Sequence, residues 1–489
     1  MPESEKLRER QKRLMQTLKK FGLTADFWLL GLVFPLVTVS LILAWPRPGD
    51  EAAERVDQFS FVVIGIVLPL LWVTGRRAKR WERYFIGSVI TIPIAASLLS
   101  LLFVVTIQVL GNSYGGLVDE LKHFEGRFPP EGIKAELEQD WSNENTDQRF
   151  KLMRQYLEKA DGLDILELDG IWMEGAIKSG KLLPLDQFYE RDMGDQRFLV
   201  AALDVARDSK TGSLFGIPLY LDVGLIFYRK DLLGELPNPT TLDDLKKAIS
   251  QSFAKTKKKG LLGFIFQSAQ FEGLNAFFFE ALSSEKVNIV RNDGKVHINS
   301  DAAKSVLKKL HNLIYEDGIV SAAVLVFQEE ESRKLFMIGR AAALRNWPYV
   351  LHQWDSSWIP KETVGITTFR NPVLGGWYLS IAKESKHPEK AWKVIQYLIS
   401  IQRLRATHPD RSRRRIPSDT KVLSGLYIDF PFMSNVEQAL RRAKARPRLQ
   451  NYYSFSKSLS SALFKVLSDG NATEKTIKVA LDKVQLQLK

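Results

Sequence analysis

Residues 216–231, GIPLYLDVGLIFYRKD, constrain the fold more than any other stretch, because they hold two extended runs on either side of one glycine. In the first run Ile217, Leu219 and Leu221 alternate with Pro218, Tyr220 and Asp222. A two-residue period sends the aliphatics to a buried face and the ring and carboxylate together to the other. Val223-Gly224 breaks that pattern where a strand can bend, and an apolar run resumes at Leu225 until Arg229-Lys230-Asp231 ends it. Two strands meeting at such a bend suit two lobes, with Tyr220 and Asp222 on a cleft edge. A strand whose polar face simply meets solvent fits the same residues.

A chain of 489 residues exceeds one ordinary domain, and 45% apolar with 26% charged residues is globular. Residues 27–44, 59–75 and 84–111 are three uncharged runs, and the ~20 residues of a bilayer crossing fit each of them. They predict a transmembrane anchor over 27–104, preceded by a basic leader over 1–26. A cleaved signal peptide would account for only one of the runs. The leader carries Lys6, Arg8, Arg10, Lys12, Arg13, Lys19 and Lys20, and the second connection carries Arg76, Arg77, Lys79, Arg80 and Arg83. The first connection is acidic at Asp50, Glu51, Glu54 and Asp57. The positive-inside rule places the N-terminus in the cytoplasm, and three crossings deliver everything after about residue 105 to the periplasmic or extracellular side.

The formal net charge of +13 does not imply nucleic acid as a partner, since the Arg411, Arg413, Arg414, Arg415 cluster lacks interleaved aromatics or zinc-type spacing. With no cysteine there are no disulfides, thiolate metal sites or thiol nucleophiles. The six histidines form no i, i+4 pair, so neither metal nor cofactor is expected. Gly175 to Lys181 imitates a phosphate loop but has Leu182 where Ser or Thr is required.

From about residue 105 the pattern alternates strand and helix, which predicts a parallel α/β sheet. Strands are expected at 105–110, 133–137 and 164–169, and helices at 116–128, 149–159 and 172–179. The first lobe should cover about 105–222 plus a return after about 375. The second covers about 225–372, with helices at 241–253, 272–282, 300–315 and 330–337. Asp169 ends a strand where a helix begins, a position suited both to ligands of open α/β sheets and to a helix N-cap. Pro348 biases Trp347 toward extended backbone, so Trp347 and Tyr349 should share a face. Gly375-Gly376-Trp377 reads as a bend carrying a third ring, and Arg415-Ile416-Pro417 as a connecting loop. Each of these rings also fits an ordinary core position.

Four segments in order, LELDGIWMEGAIKSGKLLPLD, GIPLYLDVGLIFYRKDLL, RAAALRNWPYV and GGWYLSIAKESKHPEKAW, resemble family 1 of the extracellular solute-binding proteins, especially its trehalose/maltose-binding branch. The resemblance spans about 105–489. It implies a two-lobed periplasmic-binding-protein fold closing at a hinge on a carbohydrate for an ABC importer's permease. It also implies ligand contacts at Asp169, Tyr220, Asp222, Trp347, Tyr349, Gly375, Gly376, Trp377, Arg149 and Arg415. Where relatives commonly place an acidic sugar contact, this chain has Tyr114-Gly115-Gly116. Where they are secreted or lipid-anchored through cysteine, it has the three apolar runs.

Sugar C–H faces suit Trp and Tyr rings, and sugar hydroxyls suit carboxylate and guanidinium groups. An Asp222 that accepts from sugar hydroxyls is expected to be ionised. Two other readings are a sugar sensor signalling through its transmembrane helices and a glycosidase using Asp169 and Asp222 as its carboxylate pair.

Overall fold

The computed structural model describes residues 105–488, apart from 112–116, 128–132, 141–145, 160–161, 195–196, 256–259, 292–294, 411–413 and 429. The leader and the three predicted membrane crossings lie outside the described residues. Among the described residues no helix is long and apolar enough to cross a membrane. The described residues among 106–121 and 135–489 form one compact unit, which holds nearly all of both lobes.

The first lobe is built on a six-stranded sheet, in the order β10-β4-β9-β3-β1-β2. Its strands are β1 (Val105–Gly111), β2 (Ile133–Asp140), β3 (Ile165–Asp169), β4 (Ile217–Val223), β9 (Leu374–Ile381) and the short β10 (Ile416–Pro417). The second lobe's sheet runs β6-β7-β5-β8, from β5 (Leu225–Arg229), β6 (Leu262–Ile265), β7 (Ala341–Asn346) and β8 (Val364–Thr367). The boundary predicted at Gly224 is therefore the change from one sheet to the other.

Most predicted helices form close to their expected limits: α1 (Leu117–Arg127), α2 (Thr146–Lys159), α3 (Met173–Lys178), α4 (Leu242–Lys255), α5 (Glu272–Ser284), α6 (Asp301–Tyr315) and α7 (Glu329–Met337). Local chemistry fixes several ends. Ser300 caps α6 by accepting from the Ala303 amide, and Asp169 caps the 3-10 turn Gly170–Trp172 by accepting from Ile171. Pro388 opens α8 (Pro388–Ser400), where its missing N–H removes no helical bond.

Four expectations need correction. The expected parallel pairing forms between β1 and β3, but both sheets are mixed, because β9 runs antiparallel to both β3 and β4, and β5 to both β7 and β8. Strand β9 arrives from the other lobe with no crossover helix, so its direction is reversed. For the same reason Gly375-Gly376-Trp377 is strand interior instead of a bend. Gly376 has φ of +148°, and a Cβ there would lie 2.8 Å from the Tyr220 carbonyl oxygen. Arg415 precedes strand rather than lying in a free loop, since Ile416 and Pro417 pair with Leu221 and Tyr220. Nor does the return after residue 375 stay with the first lobe. After α8 and α9 (Met433–Arg442), α10 (Tyr452–Ser468) packs on α5 and α6, and α11 (Glu474–Leu486) packs on α6.

Among the described residues three backbone segments cross between the lobes and bond to one another. The Gly224 amide donates to the Val373 carbonyl at 3.2 Å, Leu374 N to Lys444 O at 2.9 Å, and Lys444 N to Pro372 O at 2.9 Å. Gly224 is sterically required, because a Cβ there would fall 1.7 Å from Glu280 Oε1 and 2.8 Å from an Arg345 guanidinium nitrogen. Gly224→Ala should therefore destabilise the ligand-free protein by about 1–3 kcal/mol, the usual range for overpacking. Denaturant melts would measure this, and an unchanged midpoint would show that the side chains beneath the hinge move aside freely.

Candidate functional site

A cavity of about 480 Å³ lies between the lobes, and all ten residues singled out in the sequence line it. Asp169 stands at the end of β3, Tyr220 and Asp222 on β4, and Gly375, Gly376 and Trp377 on β9. Register brings them together: Asp169 and Tyr220 both pair with Trp377, and Asp222 pairs with Gly375. Antiparallel insertion of β9 thus builds one wall from three separate sequence segments. On that wall the Trp377 ring stacks on Tyr220 at 6.5 Å and meets Trp172 edge-on at 5.9 Å. The Arg415 guanidinium lies over the other ring of the pair, Tyr220, at 5.6 Å.

The opposite wall belongs to the second lobe. Trp347 and Tyr349 both reach the cavity, but they do not share one face of an extended strand. Trp347 is the N-cap of a 3-10 helix over Pro348–Ser356, so the backbone turns between the two rings. The Tyr349 hydroxyl donates to Glu330 Oε1 at 2.8 Å. Trp347 comes within reach of the first lobe, with its Cζ3 3.5 Å from where a Gly375 Cβ would stand. Arg149 of α2 completes the predicted set.

Sequence reasoning missed several lining groups, chiefly Arg446, Glu272, Glu329, Glu330 and Arg414. Arg446 bridges the lobes, 2.9 Å from Glu272 at the start of α5 and 3.9 Å from Asp169 on β3. It follows the third crossing in a segment with no periodicity. The one available signal is Pro447, which favours extended backbone at the residue before it. Glu329 and Glu330 look in sequence like the acidic first turn of α7, which they also are.

Enclosure shapes the electrostatics. Burial raises the Asp169 carboxyl above its ordinary range, against the lowering effect of Arg446 and the Ile171 amide. Burial also pushes Asp222 up to about 7, opposed by Arg415 and Arg446 and reinforced by the neighbouring Asp169. Asp222 is only half-buried by exposure, yet the cleft walls enclose its carboxyl. Without ligand the carboxyl is therefore partly protonated near neutral pH. Burial raises Glu329 too, with Arg345 and Trp347 acting against it. For Glu330 burial is outweighed by hydrogen bonds from Arg333 and Tyr349, and its carboxyl is held low. Arg446 keeps its charge because Glu272, Tyr452 and Asp169 outweigh the effect of burial. Among the described residues no group of His, Asp or Glu is placed to hold a metal ion.

The profile of the bacterial extracellular solute-binding proteins matches residues 131–402. The chain belongs to that family. Its members bind solutes without catalysis, which overturns the glycosidase reading. The chain is 28% identical over 358 residues to a probable ABC transporter-binding protein of Deinococcus radiodurans, covering 68% of this chain and 82% of that one. It is similar to the solved structure of maltose-bound T. maritima MalE3, with a TM-score of 0.66 and 27% identity over 78% of this chain and 99% of the other. Likeness to the sugar-binding protein MalE of Xanthomonas citri, with a TM-score of 0.65 and 20% identity over 78% of this chain and 97% of that one, shows the shared fold.

The Asp222 value gives a pH signature. An ordinary aspartate titrates near ~3.9, so the folded state holds this proton longer than the unfolded chain does. Stability contributed by this group falls as pH rises between about 4 and about 7, and is level above. Asp222→Asn removes the charge, so its stability relative to wild type should rise from pH 4 to pH 8. Denaturant melts of the ligand-free protein across that range would test this, and a constant offset would mean that water in the cleft keeps Asp222 ionised.

Proposed function

We propose that the chain is the membrane-anchored substrate-binding component of an ABC importer, capturing a di- or oligosaccharide outside the cytoplasmic membrane for the permease subunits. The observation that carries this reading is the pairing of aromatic rings and hydrogen-bonding charges on both walls of one cleft. Tyr220 and Trp377 face the cavity from the first lobe, Trp347 and Tyr349 from the second, with Asp169, Asp222, Arg149 and Arg415 among them. Rings take the apolar face of a pyranose, while carboxylates and guanidinium groups take its hydroxyls. A volume of about 480 Å³ falls within the usual range for small-molecule sites, about 300–1,000 Å³. The maltose in the T. maritima structure and the transporter role in the Deinococcus name support sugar and importer respectively. The three apolar runs before residue 105 supply the anchor in this reading.

Calorimetry on the full chain, in a detergent without a sugar head group, against a panel of glucosides should find a ligand. Trp347→Ala should then weaken binding by about 1–3 kcal/mol while cooperative melting persists. Lost cooperativity in that variant would make Trp347 a core residue instead. A reporter fused after Lys489 should be active on the outer side of the membrane, and activity confined to the cytoplasm would exclude the proposed topology.

A further inference from the structure

Arg345 and Glu280 form an ion pair sealed beneath the hinge, with 0% and 1% of their side chains exposed. Arg345 lies in β7, and its Nε donates to Glu280 Oε2 at 2.8 Å while a terminal nitrogen donates to Oε1 at 2.7 Å. A third bond runs from Arg345 to Gln267 Oε1 at 3.1 Å. Replacing such a pair by apolar residues of similar volume is often neutral or stabilising, so the need for a core does not explain it.

Its neighbours do. On one side Glu280 Oε1 accepts from the Val373 amide at 3.1 Å, and it is the same oxygen that a Cβ on Gly224 would strike. The carboxylate therefore holds one crossing by a hydrogen bond at Val373 and packs directly against another at Gly224. On the other side the Arg345 guanidinium lies 4.1 Å from the centroid of the Trp347 ring, a cation–π stack on a cleft residue. The surrounding polar groups reinforce the arrangement. Gln267 Nε2 donates to the Arg345 carbonyl at 2.9 Å, and Asn346 Nδ2 donates to the carbonyl of Glu329, another cleft residue, at 2.9 Å.

We propose that Arg345 and Glu280 are positioning residues of the binding site, which hold the Trp347 ring in the cleft and tie it to the hinge backbone at Val373 and Gly224. Contact between ligand and Trp347 then bears directly on the angle between the lobes. The inference rests on reading the cleft as a sugar site, but its hinge component is measurable without ligand.

The test compares two variants of the full chain in lipid nanodiscs. Arg345→Met combined with Glu280→Gln removes both charges at similar volume and leaves an amide oxygen for Val373. Arg345→Lys keeps both charges but loses the bidentate fork and the flat stacking surface, and cooperative melting of each variant is measured alongside. Because the chain has no cysteine, Lys210→Cys and Glu362→Cys place one spin label on an exposed position of each lobe. The expected result is a broader interlobe distance distribution in the ligand-free double variant, sugar affinity reduced about tenfold or more, and smaller changes of both kinds in Arg345→Lys. Wild-type distributions together with affinities within twofold of wild type would overturn the proposal. Failure of the wild type to bind any sugar would count against the function proposed for the cleft. The ligand-free distributions would then decide alone, with greater width supporting the hinge role and unchanged width overturning it.

Discussion

The hydrogen bonds among the three crossing segments are the constraint on which the site depends. Gly224, Val373 and Lys444 lie side by side because each sheet is completed by chain that arrives from the other lobe. That arrangement obliges β9 to enter the first sheet antiparallel, between β3 and β4. The consequence is chemical as well as topological. Trp377 becomes the cross-strand partner of both Asp169 and Tyr220, residues some fifty positions apart in sequence that helical crossovers would otherwise keep on separate edges. A Cβ at Gly375 would stand 3.1 Å from the Asp222 Cβ and one at Gly376 2.8 Å from the Tyr220 carbonyl oxygen, so the strands meet this closely because both residues are glycine.

Charge in the cleft is balanced by pairs that span the lobes. Arg446 stands between Asp169 and Glu272, and the enclosure that raises Asp169, Asp222 and Glu329 also strengthens any hydrogen bond made there. An incoming polyol can donate to a carboxylate or accept from a protonated one. A group that titrates near neutrality, as Asp222 does, thus serves hydroxyls in either role.

Much of this was legible in the residues. The alternation of Ile217 to Asp222 determined which side chains face the core, and the cavity receives Tyr220 and Asp222 together as that period requires. Glycine at 224 marked the change of sheet because only a residue without Cβ fits above Glu280. Reading failed where the meaning of a residue is set by distant partners. Nothing local in RNPVLGGWYLS announces that both neighbours of this strand run the opposite way, so Gly375-Gly376 looked like a bend. The two-residue spacing of Trp347 and Tyr349 suggested extended chain, whereas Pro348 at a first helical position turns it into a 3-10 helix. Arg446, Glu272 and Glu329 escaped notice because charged residues at helix starts and in loops have ordinary local explanations. Their convergence exists only after the lobes fold.

The spacing of the site residues from the crossings has a mechanical consequence. Asp222 is two residues from Gly224, Gly375 two from Val373, and Arg446 two from Lys444. Rotation of one rigid body about a hinge displaces an atom in proportion to its lever arm, so groups this near the axis barely move as the jaws swing. They present almost the same surface to a solute whether the jaws are open or shut. Groups borne farther along the arms undergo the larger displacement, and it is their engagement that can reward closing. First hold and final clamp can thus be tuned by different residues, the one without disturbing the other.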